Sequence, residues 1–84
     1  NFFEKGDHGQ RYGMIDERYL YLFPTVFERA ITEGGFNPKR ILKDWAENNL
    51  IQTEMRSGKK RYKVRKYDNV LGTQTYYVAV KLLD

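Results

Sequence analysis

Seven lysines and arginines lie within the eleven positions 56–66, where the sequence reads RSGKKRYKVRK and contains no Asp or Glu. Ammonium and guanidinium groups are the side chains that proteins use to bind phosphate. Because 7 of the 15 basic residues are concentrated here, the rest of the chain has 8 basic and 11 acidic residues and a net charge of −3. We call residues 56–66 the basic stretch. Its local positive charge predicts that a polyanion would be attracted to one place on the molecule.

Alternation of residue types inside the basic stretch favours a β-strand. In such a strand Arg61, Lys63 and Arg65 would share one face, while Tyr62 and Val64 would anchor the other. The residues of the basic stretch that we predict to contact DNA phosphates are Arg56, Lys59, Lys60, Arg61, Lys63, Arg65 and Lys66. The alternative is an exposed hairpin that is simply basic, because runs of charge are usually solvated faces.

A second group of cations, Lys39, Arg40 and Lys43, lies opposite the apolar stripe of a predicted helix. These residues gather near its N-terminal half, which is the end that a recognition helix inserts into the major groove of DNA. They are therefore candidates for contacts to base edges or phosphates. The opposing interpretation is that Lys43 and Glu47 form only an exposed i, i+4 ion pair.

Catalytic and metal chemistry has little support in this sequence. His8 is the only histidine and there is no cysteine, so a metal site would lack partner ligands. Ser57, the one serine, falls in a predicted turn without a histidine base. Asp16 and Glu17 are adjacent in a turn and would point apart. We predict no catalytic residue, no metal and no cofactor.

Aromatic residues are the remaining candidates for binding. Trp45 lies within an apolar stripe at helical spacing, which predicts a core position. Tyr62 and Tyr67 are candidates to stack on a base of a single strand. Four tyrosines in strand patterns are assigned to packing: Tyr19, Tyr21, Tyr76 and Tyr77.

Two predicted helices position the second group of cations. PTVFERAITEGG (24–35) has helical spacing, with Val26, Phe27, Ala30 and Ile31 on one arc, and Gly34 and Gly35 are expected to end it in the left-handed conformation. FNPKRILKDWAENNL (36–50) follows at once, with Asn37 as N-cap, Pro38 at the first position, and a stripe of Ile41, Leu42, Trp45 and Ala46. So short a connection predicts a helix-turn-helix.

Strand patterns flank the two helices. RYGMIDERYLYLF (11–23) predicts a leading hairpin. After Leu50 the period drops to two: IQTEMR and RYKVRKY surround a turn at residues 57–60, YDNVLG is a connecting loop, and TQTYYVAVKLL is a last strand with Tyr76, Val78, Val80 and Leu82 on one face. A further short strand around Val70 and Leu71 is a possible addition. The pattern predicts an α+β, winged-helix-like fold, with a hairpin in place of the usual first helix.

The length of 84 residues suits one domain with a modest core. We divide it into an N-terminal arm or linker, residues 1–10, and a winged-helix-like domain, residues 11–84. No apolar run approaches the roughly 18 to 20 residues that cross a bilayer. The expectation is a cytoplasmic domain without a membrane partner.

Residues 11–54 resemble the C-terminal segment of ATPases carried by phages and by staphylococcal cassette-type mobile elements, which are related to MCM-like helicases. The resemblance extends over about residues 11–80. The matching features are the strand at Gly13, YLYLFP (19–24), EGGFN (33–37), the helix KRILKDWAENNLI (39–51), and a basic hairpin leading to a final YYV strand.

This resemblance implies a winged-helix-like tail that follows an AAA+ motor domain in the same polypeptide. The chain would then be the DNA-binding or regulatory end of a replicative helicase. It would not be an enzyme by itself, because no nucleotide-binding loop is present in its sequence. The alternative is a protein-interaction module that docks on its own motor or on a replication partner.

Overall fold

A computed structural model describes residues 11–82, which form two helices and six strands. The predicted arm, residues 1–10 with His8, lies outside this range. In chain order the elements are β1 (Gly13–Ile15), β2 (Tyr19–Leu22), α1 (Pro24–Glu33), α2 (Pro38–Glu47), β3 (Glu54–Arg56), β4 (Lys59–Arg61), β5 (Val64–Asp68) and β6 (Thr73–Lys81). The predicted leading hairpin and the two predicted helices are confirmed.

Four strands form an antiparallel sheet in the order β1-β2-β6-β5. The long strand β6 is its centre, because it pairs with β2 along one edge and with β5 along the other. Ile51, just after α2, forms an isolated bridge to Val80 and so fixes the exit of α2 against β6. The remaining strands β3 and β4 form a separate two-stranded sheet.

Apolar side chains cover both faces of the large sheet. On the helix side, a cluster of buried residues consists of Phe27, Leu42, Ile51 and Val78. On the other side, the buried cluster consists of Tyr21, Val64, Tyr77 and Ala79. Trp45 packs edge-on against Phe27 with ring centroids 5.7 Å apart, which confirms its predicted core position.

Capping signals in the sequence correctly locate α2. The side-chain oxygen of Asn37 accepts a hydrogen bond from the backbone N–H of Arg40 at 3.1 Å, and Pro38 is the first helical residue. At the other end, Asn49 has φ 60°, and the N–H of Leu50 reaches the carbonyl of Trp45. This hydrogen bond and the left-handed residue before it are typical of a Schellman motif, which ends the helix.

Two details of the prediction for α1 are wrong. Only Gly35 is left-handed, with φ 86°, whereas Gly34 keeps a helical φ of −78°. The reason is that the N–H of Gly34 still bonds the carbonyl of Ala30, so the helical turn runs through Gly34. Ala30 itself is exposed and is not part of the buried stripe.

The predicted continuous strand over residues 61–67 is also wrong. Strand β4 ends at Arg61, β5 begins at Val64, and a bend at Tyr62 and Lys63 separates them. Tyr62 packs against the cluster on the helix side, whereas Val64 joins the cluster on the other side of the sheet. The chain bends because it leaves one sheet to join another, so Arg61, Lys63 and Arg65 do not form one row on one strand.

Two smaller expectations about this region also fail. Lys59 and Lys60 belong to β4, and the turn contains only Ser57 and Gly58. Val70 and Leu71 lie in the turn between β5 and β6 and form no strand. That turn is short because β5 and β6 pair directly as a hairpin.

Candidate nucleic-acid interface

Strands β3 and β4 and their turn, residues 54–61, form a projecting hairpin that we call the wing. Ser57 and Gly58 make its turn with φ values of 50° and 75°. Two successive left-handed residues match the right-handed twist of the strands that they connect. Gly58 takes this conformation at little cost because it has no Cβ.

A groove with a volume of about 700 Å³ lies between α2, the wing and β6. Five of the eight residues that line it are basic and none is acidic. The lining residues are Lys39, Leu42, Arg56, Lys60, Arg61, Tyr62, Lys63 and Tyr76. We refer to this feature as the basic groove. Its cations come from a helix, a hairpin and the bend that follows the hairpin, so the fold brings Lys39 of α2 next to four cations of the basic stretch.

Arg56 is the most highly constrained cation of the basic groove. Its Nη2 lies 2.7 Å from Glu54 Oε1, and its Nη1 donates to the hydroxyl of Tyr76 at 2.8 Å. The guanidinium carbon lies 4.9 Å from the centre of the Tyr76 ring. The hydrogen bonds from Arg56 hold the pKa of Glu54 below its usual value and also lower the pKa of the Tyr76 hydroxyl. Glu54 therefore stays ionised and offsets part of the charge of Arg56.

The other four cations of the basic groove have no such partner. Among residues 11–82, no ion pair involves Lys39, Lys60, Arg61 or Lys63. Within the same part of the chain, Lys43 and Glu47 also form no ion pair, so the i, i+4 pair that was the alternative interpretation of Lys43 is not formed. Cations without carboxylate partners are free to exchange their counterions for phosphates.

The structure brings five of the ten predicted contact residues into the basic groove: Lys39, Arg56, Lys60, Arg61 and Lys63. The other five lie outside its lining. Arg40 and Lys43 are exposed on α2, and Lys59 is exposed on the wing. Arg65 pairs with Tyr76 across β5 and β6. Lys66 lies on the opposite face of β5, with its ammonium 5.2 Å from the centre of the Tyr21 ring.

Tyr76 is the residue that sequence reasoning misassigned. We expected it to pack in the core as Tyr77 does, and Tyr77 is fully buried, but Tyr76 is 43% exposed and lines the basic groove. The two adjacent tyrosines point to opposite faces of β6. The alternation alone indicates that one ring faces the helix side. The position of the wing, which alternation does not predict, places this ring in a groove instead of in the core.

The part of the chain that the structure describes contains no cluster of three or more residues that could hold a metal ion. None of its helices is long and apolar enough to cross a membrane. The lining of the basic groove contains no acidic residue, histidine, serine or cysteine.

The profile of the Cch helix turn helix domain family matches residues 1–83. The chain belongs to the Cch helix turn helix domain family. No curated protein and no solved structure matches the chain. The match includes residues 1–10, so the division between an arm and a domain stays a prediction.

Because the chain belongs to the Cch helix turn helix domain family, we identify α1 and α2 as its helix-turn-helix. The helices, the antiparallel sheets and the wing together confirm the predicted α+β, winged-helix-like class. Helix-turn-helix domains bind DNA in general, with the second helix as the reader. In this Cch helix turn helix domain the second helix is α2, and Lys39 of α2 lines the basic groove.

Proposed function

We propose that this domain binds DNA mainly through phosphates, with the basic groove as the central contact. The observation that carries the proposal is the lining of the groove, which contains five cations and no acidic residue, although Glu54 beside it pairs with Arg56. Four of them have no ion-pair partner among residues 11–82. Binding through phosphates fixes the position of the protein on DNA without reading its sequence.

The distribution of charge along the whole chain also supports DNA binding at the groove. The basic stretch carries +7, while the remainder of the chain carries −3. A phosphate chain is therefore attracted to the side of the molecule with the wing and is repelled by the rest. Lys59, which is exposed on the wing, and Arg65, which is exposed on β5, extend the proposed path. Lys66 contributes at longer range because it lies on the other face of β5.

The N-terminal half of α2 provides a second proposed contact. Arg40 and Lys43 are exposed beside Lys39 and are free to reach phosphates or base edges. Asp44 and Glu47 are exposed toward the C-terminal end, where they would repel phosphate. We therefore expect contact from the first half of the helix only.

The proposed biological role is to position or regulate a replicative helicase of a phage or mobile element on DNA. It is supported by the resemblance of residues 11–54 to the C-terminal segments of such ATPases. On this proposal an AAA+ motor domain precedes the chain in the same polypeptide, in the cytoplasm. The segment itself performs no catalysis.

Docking on the motor is a second candidate function, and one observation favours it. Met55 of the wing is 66% exposed. It is adjacent to Arg56 in β3, and successive side chains of a strand point to opposite faces. An exposed methionine beside cations suits a protein interface, because its flexible side chain packs on irregular apolar surfaces.

The experiment that tests DNA binding measures the affinity for labelled oligonucleotides as a function of salt. With five phosphate contacts, we expect affinity to fall about 100-fold or more between about 50 and about 200 mM salt. A triple variant, Lys60→Gln, Arg61→Gln and Lys63→Gln, should lower affinity at least about tenfold. It should also reduce the slope of log K against log salt by about 2, since each phosphate contact contributes about 0.7 to 0.9.

A matched control removes three cations that lie outside the basic groove: Arg18→Gln, Arg29→Gln and Lys81→Gln. It has the same net charge as the first variant and should stay within about threefold of the unmodified chain, because only screened, long-range attraction is lost. Equal losses in the two variants would contradict a defined groove. If the groove variant still retains DNA but separates the domain from its motor, the docking function is supported instead.

A further inference from the structure

Tyr76 combines exposure with a fixed position, which is unusual for a large side chain on a surface. Its ring is 43% exposed and forms part of the wall of the basic groove. Its hydroxyl accepts a hydrogen bond from Arg56 at 2.8 Å, and the guanidinium lies over one face of the ring, 4.9 Å from its centre, so a base would stack on the other face. Because Arg56 is itself held by Glu54 at 2.7 Å, the ring is anchored through two linked contacts.

An aromatic ring held in this way costs little entropy when a ligand stacks on it, because the side chain is already ordered. The neighbouring Arg61 and Lys63 supply positive charge along the same groove. A cationic groove that follows a backbone, together with an aromatic face for a base, is the combination by which proteins bind single strands.

The size of the groove suits one nucleotide of a single strand. Its volume of about 700 Å³ lies within the range of about 300–1,000 Å³ for pockets that hold small ligands. It therefore has room for a base with its sugar and phosphate. In a duplex the faces of the bases are stacked on one another, so a protein ring reaches them only if a base leaves the stack.

We propose that Tyr76 is the stacking platform for one base of single-stranded DNA, whose flanking phosphates lie on Lys60, Arg61 and Lys63. This inference rests on the proposed DNA binding and adds to it the strand state and the residue that distinguishes single strands from duplex. Stacking on a ring face is tolerant of base identity, since every base has such a face. The site therefore prefers single strands without reading a sequence.

The test compares the affinity of the full 84-residue chain for an oligo-dT strand and for a duplex of the same length. Tyr76→Leu should weaken single-strand binding about 5- to 100-fold, the range for loss of one stacked base. It should change duplex binding less than about twofold and leave the salt slope unchanged. Tyr76→Phe keeps the ring and should retain single-strand affinity within about threefold.

Tyr67→Leu is the matched control. Tyr67 is 51% exposed and lies outside the lining of the basic groove, so its loss should leave single-strand affinity unchanged. The inference is overturned if Tyr76→Leu binds single strands as the unmodified chain does, or if it weakens duplex equally. In either case DNA binding by the groove still stands if the Lys60, Arg61 and Lys63 variant loses affinity. If the unmodified chain binds neither strand form, the proposed function itself fails.

A second measurement does not depend on the folding of Tyr76→Leu. Single strands carrying 2-aminopurine are titrated with the unmodified chain, and stacking on Tyr76 should quench the fluorescence of the probe. Tyr76→Phe should give the same quenching. A probe that stays bright while anisotropy reports full binding would overturn the inference.

Discussion

Asp68 is a fully buried carboxylate that joins separate parts of the fold. It accepts hydrogen bonds from the Arg11 guanidinium and from the Tyr77 hydroxyl. It also accepts from the backbone N–H groups of Val70 and Leu71, at 2.9 and 3.0 Å. Burial by itself would raise the pKa of Asp68, but these hydrogen bonds outweigh it and hold the pKa at about 2. The charged form is therefore the stable one in the folded protein.

This hydrogen-bond network determines how stability depends on pH. The pKa of Asp68 is about 2 in the folded protein, against an ordinary value of 3.8. A folded-state pKa below the unfolded one stabilises the protein above the unfolded pKa, so this contribution is complete above about pH 4 and is lost as the pH falls toward 2. We expect the free energy of unfolding, measured with urea at a series of pH values, to decrease over this window. Asp68→Asn should flatten the decrease and lower stability at neutral pH by about 3 kcal/mol.

Asp44→Asn is the control for the Asp68 variant. Asp44 is exposed on α2, and its side chain makes no ion pair within residues 11–82. Its substitution should change the free energy of unfolding by less than about 0.5 kcal/mol at any pH. An Asp68→Asn protein with the same acid dependence as the unmodified chain would show that another group controls it.

At the scale of elements, the local signals in the sequence were sufficient to locate the helices and the first hairpin. Asn37 caps α2 through its own side chain. Asp16 closes the first turn by accepting from the N–H groups of Arg18 and Tyr19, each at 2.8 Å. These contacts span only two or three residues, so a short window of sequence contains all of their information.

The parts that could not be predicted depend on contacts between distant segments. The bend at Tyr62 and Lys63 exists because the chain crosses from the wing to the large sheet, and no local residue type requires it. The pairing of Arg65 with Tyr76 depends on the register of β5 against β6. Alternation predicts which residues share a face but not which strand lies opposite. For this reason the cations and Tyr62 of the basic groove were found from sequence, while Tyr76 was not.

Gly13 tests the packing of the first hairpin. A Cβ added at this position would lie 1.8 Å from the carbonyl oxygen of Tyr21, so β1 and β2 would have to separate. We expect Gly13→Ala to lower the free energy of unfolding by more than about 3 kcal/mol, above the usual cost of overpacking. The measurement is urea unfolding followed by far-UV circular dichroism.

Gly35→Ala, just after α1, is the control for the Gly13 variant. Gly35 has φ 86°, and a Cβ there would meet no atom within 4 Å. Its substitution should cost only the left-handed backbone, about 1–2 kcal/mol. Equal losses at the two glycines would mean that β1 tolerates the displacement and that the packing argument is wrong.

At the scale of the whole molecule, the fold separates its charges. A groove between α2, the wing and β6 brings Lys39 of α2 together with four cations of the basic stretch. Lys66, which the sequence placed with them, lies on the other face of β5. The composition of the basic stretch was enough to predict a local concentration of positive charge, but which of its cations share one groove depends on the positions of the sheets.

The most direct test of this account maps the DNA contact on the chain itself. Amide chemical shifts of the 15N-labelled chain are recorded while unlabelled oligo-dT is added. We expect the largest changes at residues of the basic groove, including Lys39, Arg61, Lys63 and Tyr76. Changes that are largest around Arg18 and Lys81, or spread evenly over the chain, would contradict the basic groove as the site of DNA binding.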